Sequence, residues 1–338
     1  MAEAGCGSDA VLENAVLRVR VDPDVGGTIT TIRHLGAGAD VLGVTPWDVP
    51  AQPHEGIAAP DERSWLAHYR GGWPLLFPNG GDACSFEGAT HGFHGEASIA
   101  PWVCTREGET LCLERGFFSV PVTMVRRLSL EDDVLVISET VHHTGDRASR
   151  VMWTHHPTLG SDLLDGPFEI TTGARTVASD EAYDPPANPL TPGVSGDWPI
   201  LAGKEGDCDL SRLDGKIAAM AYLHGFDEPW VAVRRTDNTI AAALSWDAGH
   251  FPCAWLWWEL GGTDDAPWFG RARLLGVEPS TSWPGTGLAD IARRGGPLLT
   301  LEPGQTITTQ LRLHVFQPAG PIRGIDAAGR ATCDLEHA

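Results

Sequence analysis

Ile307-Thr308-Thr309-Gln310-Leu311-Arg312-Leu313-His314-Val315 sets Ile307, Leu311, Leu313 and Val315 on one side of an extended chain and Thr308, Gln310, Arg312 and His314 on the other. Period-two alternation of this kind is the signature of a half-buried strand. Leu17-Arg18-Val19-Arg20-Val21 repeats it, as do Val120 to Leu130 and Val134 to Val141, with turn-forming pairs at Asp132-Asp133 and Gly145-Asp146. Antiparallel hairpins follow. Helical periodicity is confined to Leu288 to Arg294, closed by Gly295-Gly296. With 40 glycines and 25 prolines, the chain reads as all-β, a large antiparallel β-sandwich with few short helices.

The length of 338 residues suits one large sandwich domain over residues 1–318, with 319–338 as a C-terminal tail that has lost the strand pattern. Pro46 to Trp73 and Tyr183 to Asp209 read as long loops, which in a compact domain tend to be functional and here are expected to rim a cleft. A hydrophobic fraction of 42% supports a sizeable core. The net charge of −21 disfavours nucleic acid and anionic membranes as partners. Seven scattered cysteines suggest neither a disulfide framework nor a zinc knuckle. Met1 to Ala10 lacks the basic and apolar regions of a signal peptide, and no apolar run reaches the roughly 18 residues of a membrane span. A cytoplasmic monomer or homodimer is the expectation.

Thirteen tryptophans against three tyrosines point to carbohydrate, because the C–H face of a pyranose packs on an indole; the plainer role of a tryptophan is to fill the core. In Ala254-Trp255-Leu256-Trp257-Trp258-Glu259-Leu260 an extended backbone puts Trp255, Trp257 and Glu259 on one face. In Thr154-His155-His156-Pro157 only one of the two histidines can face a given pocket. His91, His94 and Glu96 are close together among glycines, but their spacing is not a recognised zinc pattern, and no metal or cofactor is expected. Glu278 closes an apolar run just before Pro279, where a buried carboxylate would have a raised pKa and serve as a base.

Taken in order, Leu12-Glu13-Asn14 through Gly26-Gly27-Thr28-Ile29, Leu76-Phe77-Pro78-Asn79-Gly80-Gly81, His91-Gly92-Phe93, His156-Pro157-Thr158-Leu159 and Gly276-Val277-Glu278-Pro279-Ser280-Thr281 resemble the aldose 1-epimerase (galactose mutarotase-like) family. The resemblance spans roughly Leu12 to Phe316. It implies the family's supersandwich and a sugar cleft on its concave face. It also implies interconversion of the α and β anomers of a free sugar, with Glu278 as base, His156 as acid and His91 binding near the ring oxygen. Asn79, Arg70, Trp257, Glu259 and Asp247 complete the expected sugar-binding set. Two departures stand out: Gly80 occupies the place of the family's sugar-binding Arg, for which Arg70 or Arg63 are substitutes. The mid-chain Asp has only Asp227 and Asp247 as candidates. Three other readings compete: a non-catalytic carbohydrate binder on the same fold, a hexose-6-phosphate 1-epimerase needing a cluster of Arg or Lys, and a glycoside hydrolase pairing Glu259 with Glu278.

Overall fold

The computed structural model describes residue 6, residues 10–48, residue 56 and residues 58–334. Part of the Pro46–Trp73 loop, most of the first ten residues and the last four of the tail lie outside them. Strands dominate, and the α-helices among the described residues are short: Glu62–Leu66, Ser161–Leu164 and Leu288–Arg294. The last ends where the sequence says it should, with Gly295 in the left-handed conformation that satisfies the final carbonyls.

A large sheet runs, neighbour by neighbour, through Leu75–Leu76, Thr154–His155, Arg273–Ser280, Cys253–Leu260, Ile217–Arg235, Ala241–Ser245, Thr306–Phe316, Val134–His143, Val122–Glu131, Thr110–Gly116 and Val103–Glu107. The ladders along it are antiparallel, including the hairpin that turns at Asp132-Asp133. Thr306–Phe316 lies centrally and buries Ile307, Leu311, Leu313 and Val315 as its alternation requires. A four-stranded sheet of Ala10–Glu13, Leu17–Asp22, Thr28–His34 and Ala39–Asp40 contributes Leu17, Val19, Ile29 and Ile32 to the same core. The two faces of Cys253–Leu260 divide as expected: Leu256, Trp258 and Leu260 join that core, while Trp255 and Trp257 belong to separate clusters on the opposite side.

Two expectations need correction. Cys6 and Cys104 form a disulfide, with Cα atoms 5.4 Å apart. Cys6 N–H donates to the Cys104 carbonyl at 3.1 Å, so the N-terminal backbone bonds to the edge strand Val103–Glu107 and carries the two sulfurs together across 98 positions of sequence. No local spacing reveals such a pair. Disulfides persist in oxidising compartments and are rare in the cytosol, so the bond weighs against the cytoplasmic expectation. The segment after residue 318 is also more ordered than its sequence pattern indicates. Ile322–Ile325 and Ala331–Cys333 form a hairpin whose Ile322 packs with Trp230 and Phe316. Its strands, of four and three residues, are too short to alternate visibly.

Beneath the sheet surface, Arg126 and Glu139 pair at 2.7 Å with no exposure, and His155 Nε2 meets the other Glu139 oxygen at 3.1 Å. Burial pushes the Glu139 carboxyl up, but His155 and Arg126 outweigh it and hold the group down at about 2.

Candidate active site

Glu278 lies in the Arg273–Ser280 strand, directly opposite Trp255 of Cys253–Leu260. Val277 and Leu275 point into the core, so Glu278 and Gly276 point the other way. Gly276 is what makes room for the carboxylate: a Cβ there would come within 2.3 Å of Glu278 Oε1. Gly276→Ala should therefore push the carboxyl aside and leave the fold in place. The expected result is a displaced Glu278 carboxyl with unfolding free energy lowered by about 1–3 kcal/mol, the range for overpacking a buried site, measured by denaturant titration.

His156 sits between the short strands Thr154–His155 and Thr158–Leu159, its backbone N–H tied to the Pro74 carbonyl at 3.1 Å. Adjacent residues on an extended chain face opposite ways, and the dipeptide divides accordingly. His155 turns inward to Glu139, accepting a hydrogen bond from Trp73 Nε1 at 3.3 Å, while His156 faces Glu278 with Nε2 3.5 Å from Oε1. Behind His156, Thr158 Oγ1 contacts Nδ1 at 3.0 Å and Tyr69 OH contacts Thr158 Oγ1 at 2.5 Å, which fixes the plane of the imidazole. Burial pulls His156 down to about 4 and pushes Glu278 well above the ordinary carboxylate range. Both shifts favour the uncharged form of each group.

Around them is a cavity of about 290 Å³ whose wall includes Trp65, Tyr69, Phe93, Trp255, Trp257 and Trp268. Both long loops contribute to it: Pro46 to Trp73 supplies Glu62, Trp65, Leu66 and Tyr69, and Tyr183 to Asp209 supplies Tyr183. Of the site residues expected from sequence, Glu278, His156 and Trp257 line the cavity, together with Trp255 and His94; His91, Asn79, Arg70, Glu259 and Asp247 do not. Asn79 is fully buried, donating to the carbonyls of Gly81, Asp82 and Gly92 and accepting from Leu288 N–H, so it is a clasp for the surrounding loops. Arg70 lies beneath the cavity near Asp22, 3.9 Å away. Glu259 spends its carboxylate on Thr263, and Asp247 caps its own turn and holds His250 on a different face. Asp227 is an exposed partner of Arg175. Gly80 is packed too tightly for the absent arginine, since a Cβ would meet Thr154 Oγ1 at 3.0 Å, Met152 Cε at 3.1 Å and the Trp255 ring at 3.3 Å.

The correction with most consequence concerns the His-Gly pair. His91 belongs to the strand Ala89–His91, opposite Cys84, and turns toward Glu87, Ser119 and Pro121 on the outer side of that hairpin. His94, followed by its own glycine, occupies the cavity instead. His94 at φ 57° and Gly95 at φ 74° make a left-handed turn that swings the ring inward, 5.6 Å from His156 between ring centres. Only hydrogen fits Gly95, where a Cβ would lie 2.5 Å from the Phe77 carbonyl oxygen. Because a carbonyl only accepts, His94 Nδ1 donates to Gly80 O at 3.0 Å and Nε2 is left as an acceptor; burial, then the nearby His156, keep the ring neutral. Glu96 is not a ligand for anything external: Arg115, Ser119 Oγ and the amides of Phe118 and Ser119 take its carboxylate.

Asp180 also lines the cavity and was not picked out in the sequence. It accepts from Tyr222 OH and from the amides of Ala182 and Tyr183 at 2.7 Å each, which holds Tyr183 over the opening. The signal was present: Asp180 ends the strand Phe168–Ser179 just as its alternation stops.

No protein-family model and no curated protein matches the chain. Solved structures do. Slr1438 from Synechocystis sp. PCC 6803 superposes with a TM-score of 0.65 at 17% identity, covering 91% of this chain and 96% of its own. A putative aldose 1-epimerase from Escherichia coli K12 gives 0.64 at 15% identity, over 91% and 99%. A galactose mutarotase-like protein from Lactobacillus casei ATCC 334 gives 0.58 at 14% identity, over 91% and 100%. These superpositions show that the chain has the galactose mutarotase-like fold.

Proposed function

We propose that the protein interconverts the α and β anomers of a free aldose, with Glu278 and His156 as the acid–base pair. What carries the reading is that pair: two buried titratable groups 3.5 Å apart, facing one aromatic cavity. Anomerisation needs that equipment and no cofactor. The O1 hydroxyl gives its proton to Glu278 while His156 protonates O5, the C1–O5 bond breaks, and C1 becomes an aldehyde. Rotation about C1–C2 presents the other face, and the two proton transfers reverse as the ring closes. Hydrogen bonding from O1–H to Glu278 favours the carboxylate form, moving the resting proton to His156 before the bond breaks. Raised basicity at Glu278 suits it to take a proton near neutral pH. His94 Nε2 is free to accept from a sugar hydroxyl.

Activity requires one proton on the pair, neither two nor none. The enzymatic rate, corrected for the spontaneous one, should fall below about pH 4 as His156 takes a second proton. It should fall again in alkali, at a pH well above the ordinary carboxylate value, as Glu278 loses the only one. A flat profile between pH 3 and pH 9, on the order of the range any such pair would span, would remove the pair from the chemistry.

The hydrolase reading loses its support because Glu259 is committed to Thr263 outside the cavity. A phosphorylated hexose is equally unsupported, since no Lys or Arg lines the cavity.

A further inference from the structure

Thr158 Oγ1, on a side chain with no exposed surface, stands between His156 Nδ1 at 3.0 Å and Tyr69 OH at 2.5 Å, and a hydroxyl has one hydrogen to give. The direction of this chain is set at its His156 end. In the anomerisation reading, protons come and go at Nε2, the nitrogen that faces Glu278. Nδ1 therefore keeps its hydrogen whether the ring is neutral or charged, and donates it to Thr158 Oγ1. Thr158 must then donate to the Tyr69 oxygen, its other side-chain partner. The Tyr69 hydrogen is left over. Tyr69 is 5% exposed, its hydroxyl has no other partner among the described residues, and it lines the cavity beside His156. Burial pushes its phenol up, so the hydroxyl keeps its hydrogen throughout the neutral range.

Resting on the anomerisation reading above, we propose that Tyr69 is a further substrate-contacting residue: its hydroxyl donates to a sugar oxygen on the O5 side of the ring, and Thr158 is the positioning residue that frees that hydrogen. A buried hydroxyl hydrogen without an acceptor is costly, and a sugar oxygen supplies one. Other donors in the wall are already spent. Trp65 Nε1 gives its hydrogen to Ser98 Oγ at 2.9 Å and Trp255 Nε1 to the Ser282 carbonyl at 2.8 Å, while His94 Nε2 is an acceptor.

The test begins with nitrogen NMR of histidine-labelled protein, the His156 resonances being assigned by their loss in His156→Gln. At neutral pH and without sugar, wild type should show the Nδ1–H tautomer. Thr158→Val should move the ring toward Nε2–H, and Thr158→Ser should keep it on Nδ1–H. Calorimetry and NMR anomer exchange with D-glucose, D-galactose and D-mannose then follow Tyr69→Phe, which keeps the ring that stacks on Trp65 at 4.4 Å. Its affinity and kcat/KM for the best of these sugars should each fall about tenfold, the worth of one hydrogen bond from a buried donor, with the His156 tautomer unchanged. Thr158→Val should lose as much, and Thr158→Ser should recover most of it. An Nε2–H ring in wild type, or sugar bound and anomerised equally well by Tyr69→Phe, would overturn the Tyr69 contact and leave anomerisation standing. Tautomer and affinity need no turnover: if wild type binds an aldose without accelerating it, the anomerisation reading fails, while an Nδ1–H ring and weaker binding by Tyr69→Phe still uphold the contact. No binding of any of the three sugars by wild type would overturn both.

Discussion

Glu278→Gln should lower the enzymatic rate of anomer exchange by about 10²–10⁴-fold, the range expected for losing a positioned general base. Gln keeps the size and hydrogen-bonding reach of the side chain but cannot take the O1 proton. Among the described residues the polar partner of Glu278 is His156, at 3.5 Å, so the amide costs the fold little. Sugar affinity, followed by calorimetry, should change far less than kcat. If the variant anomerises as fast as wild type, Glu278 is not the base; if wild type accelerates no aldose but binds one, the protein is a carbohydrate binder on this fold. His156→Gln should lose rate to a similar degree. The two losses should not add, because the groups work on one proton.

The largest effect on stability is expected at Glu139. Replacing it by Ala strands Arg126, which has no exposed surface, and removes the partner of His155. Breaking one member out of a fully buried ionic cluster costs about 3–5 kcal/mol, readable in denaturant unfolding. The pH dependence has a definite sign. Glu139 is depressed to about 2 in the folded protein, so its contribution is present above the unfolded carboxylate value of about 4.5 and lost as pH falls toward 2. Wild type should lose on the order of 3 kcal/mol across that interval from this group. Glu139→Ala should show a correspondingly flatter acid limb.

Strand content and its antiparallel arrangement were legible because period two survives wherever one face of a strand is buried, as at Leu17–Asp22 and Thr306–Phe316. Glu278 and His156 stood out in the sequence for different reasons, the first by closing an apolar run and the second as the histidine followed by the Pro157-Thr158-Leu159 of the family resemblance, and both line the cavity. Most of the other expected sugar ligands do not, and the misses share a cause. Asn79, Glu259 and Asp247 are polar residues whose hydrogen bonds are consumed locally, which a one-dimensional reading cannot distinguish from bonds offered to a ligand. His91 and His94 each precede a glycine, and only the left-handed turn at His94 and Gly95 decides which ring points inward. Glu62 and Tyr69 come from one loop and Asp180 from a distant segment, and they meet only in the folded chain.

Ile217–Arg235 runs unbroken through the large sheet, pairing with Cys253–Leu260 along its first third and with Ala241–Ser245 near its end. Phe168–Ser179 accompanies it on the other edge, past a bulge between Thr172 and Ala174. The wall that presents Trp255 and Trp257 is thereby spliced to the far hydrophobic core by one continuous backbone. Local opening on the cavity side cannot spread without drawing on the ladder of the distant half, so the cavity floor inherits the slow breathing of the core. The rim has no such tether: Glu62 and Tyr183 ride on connecting segments outside this ladder. Side chains at the rim can thus adjust while Glu278 and His156 are held still.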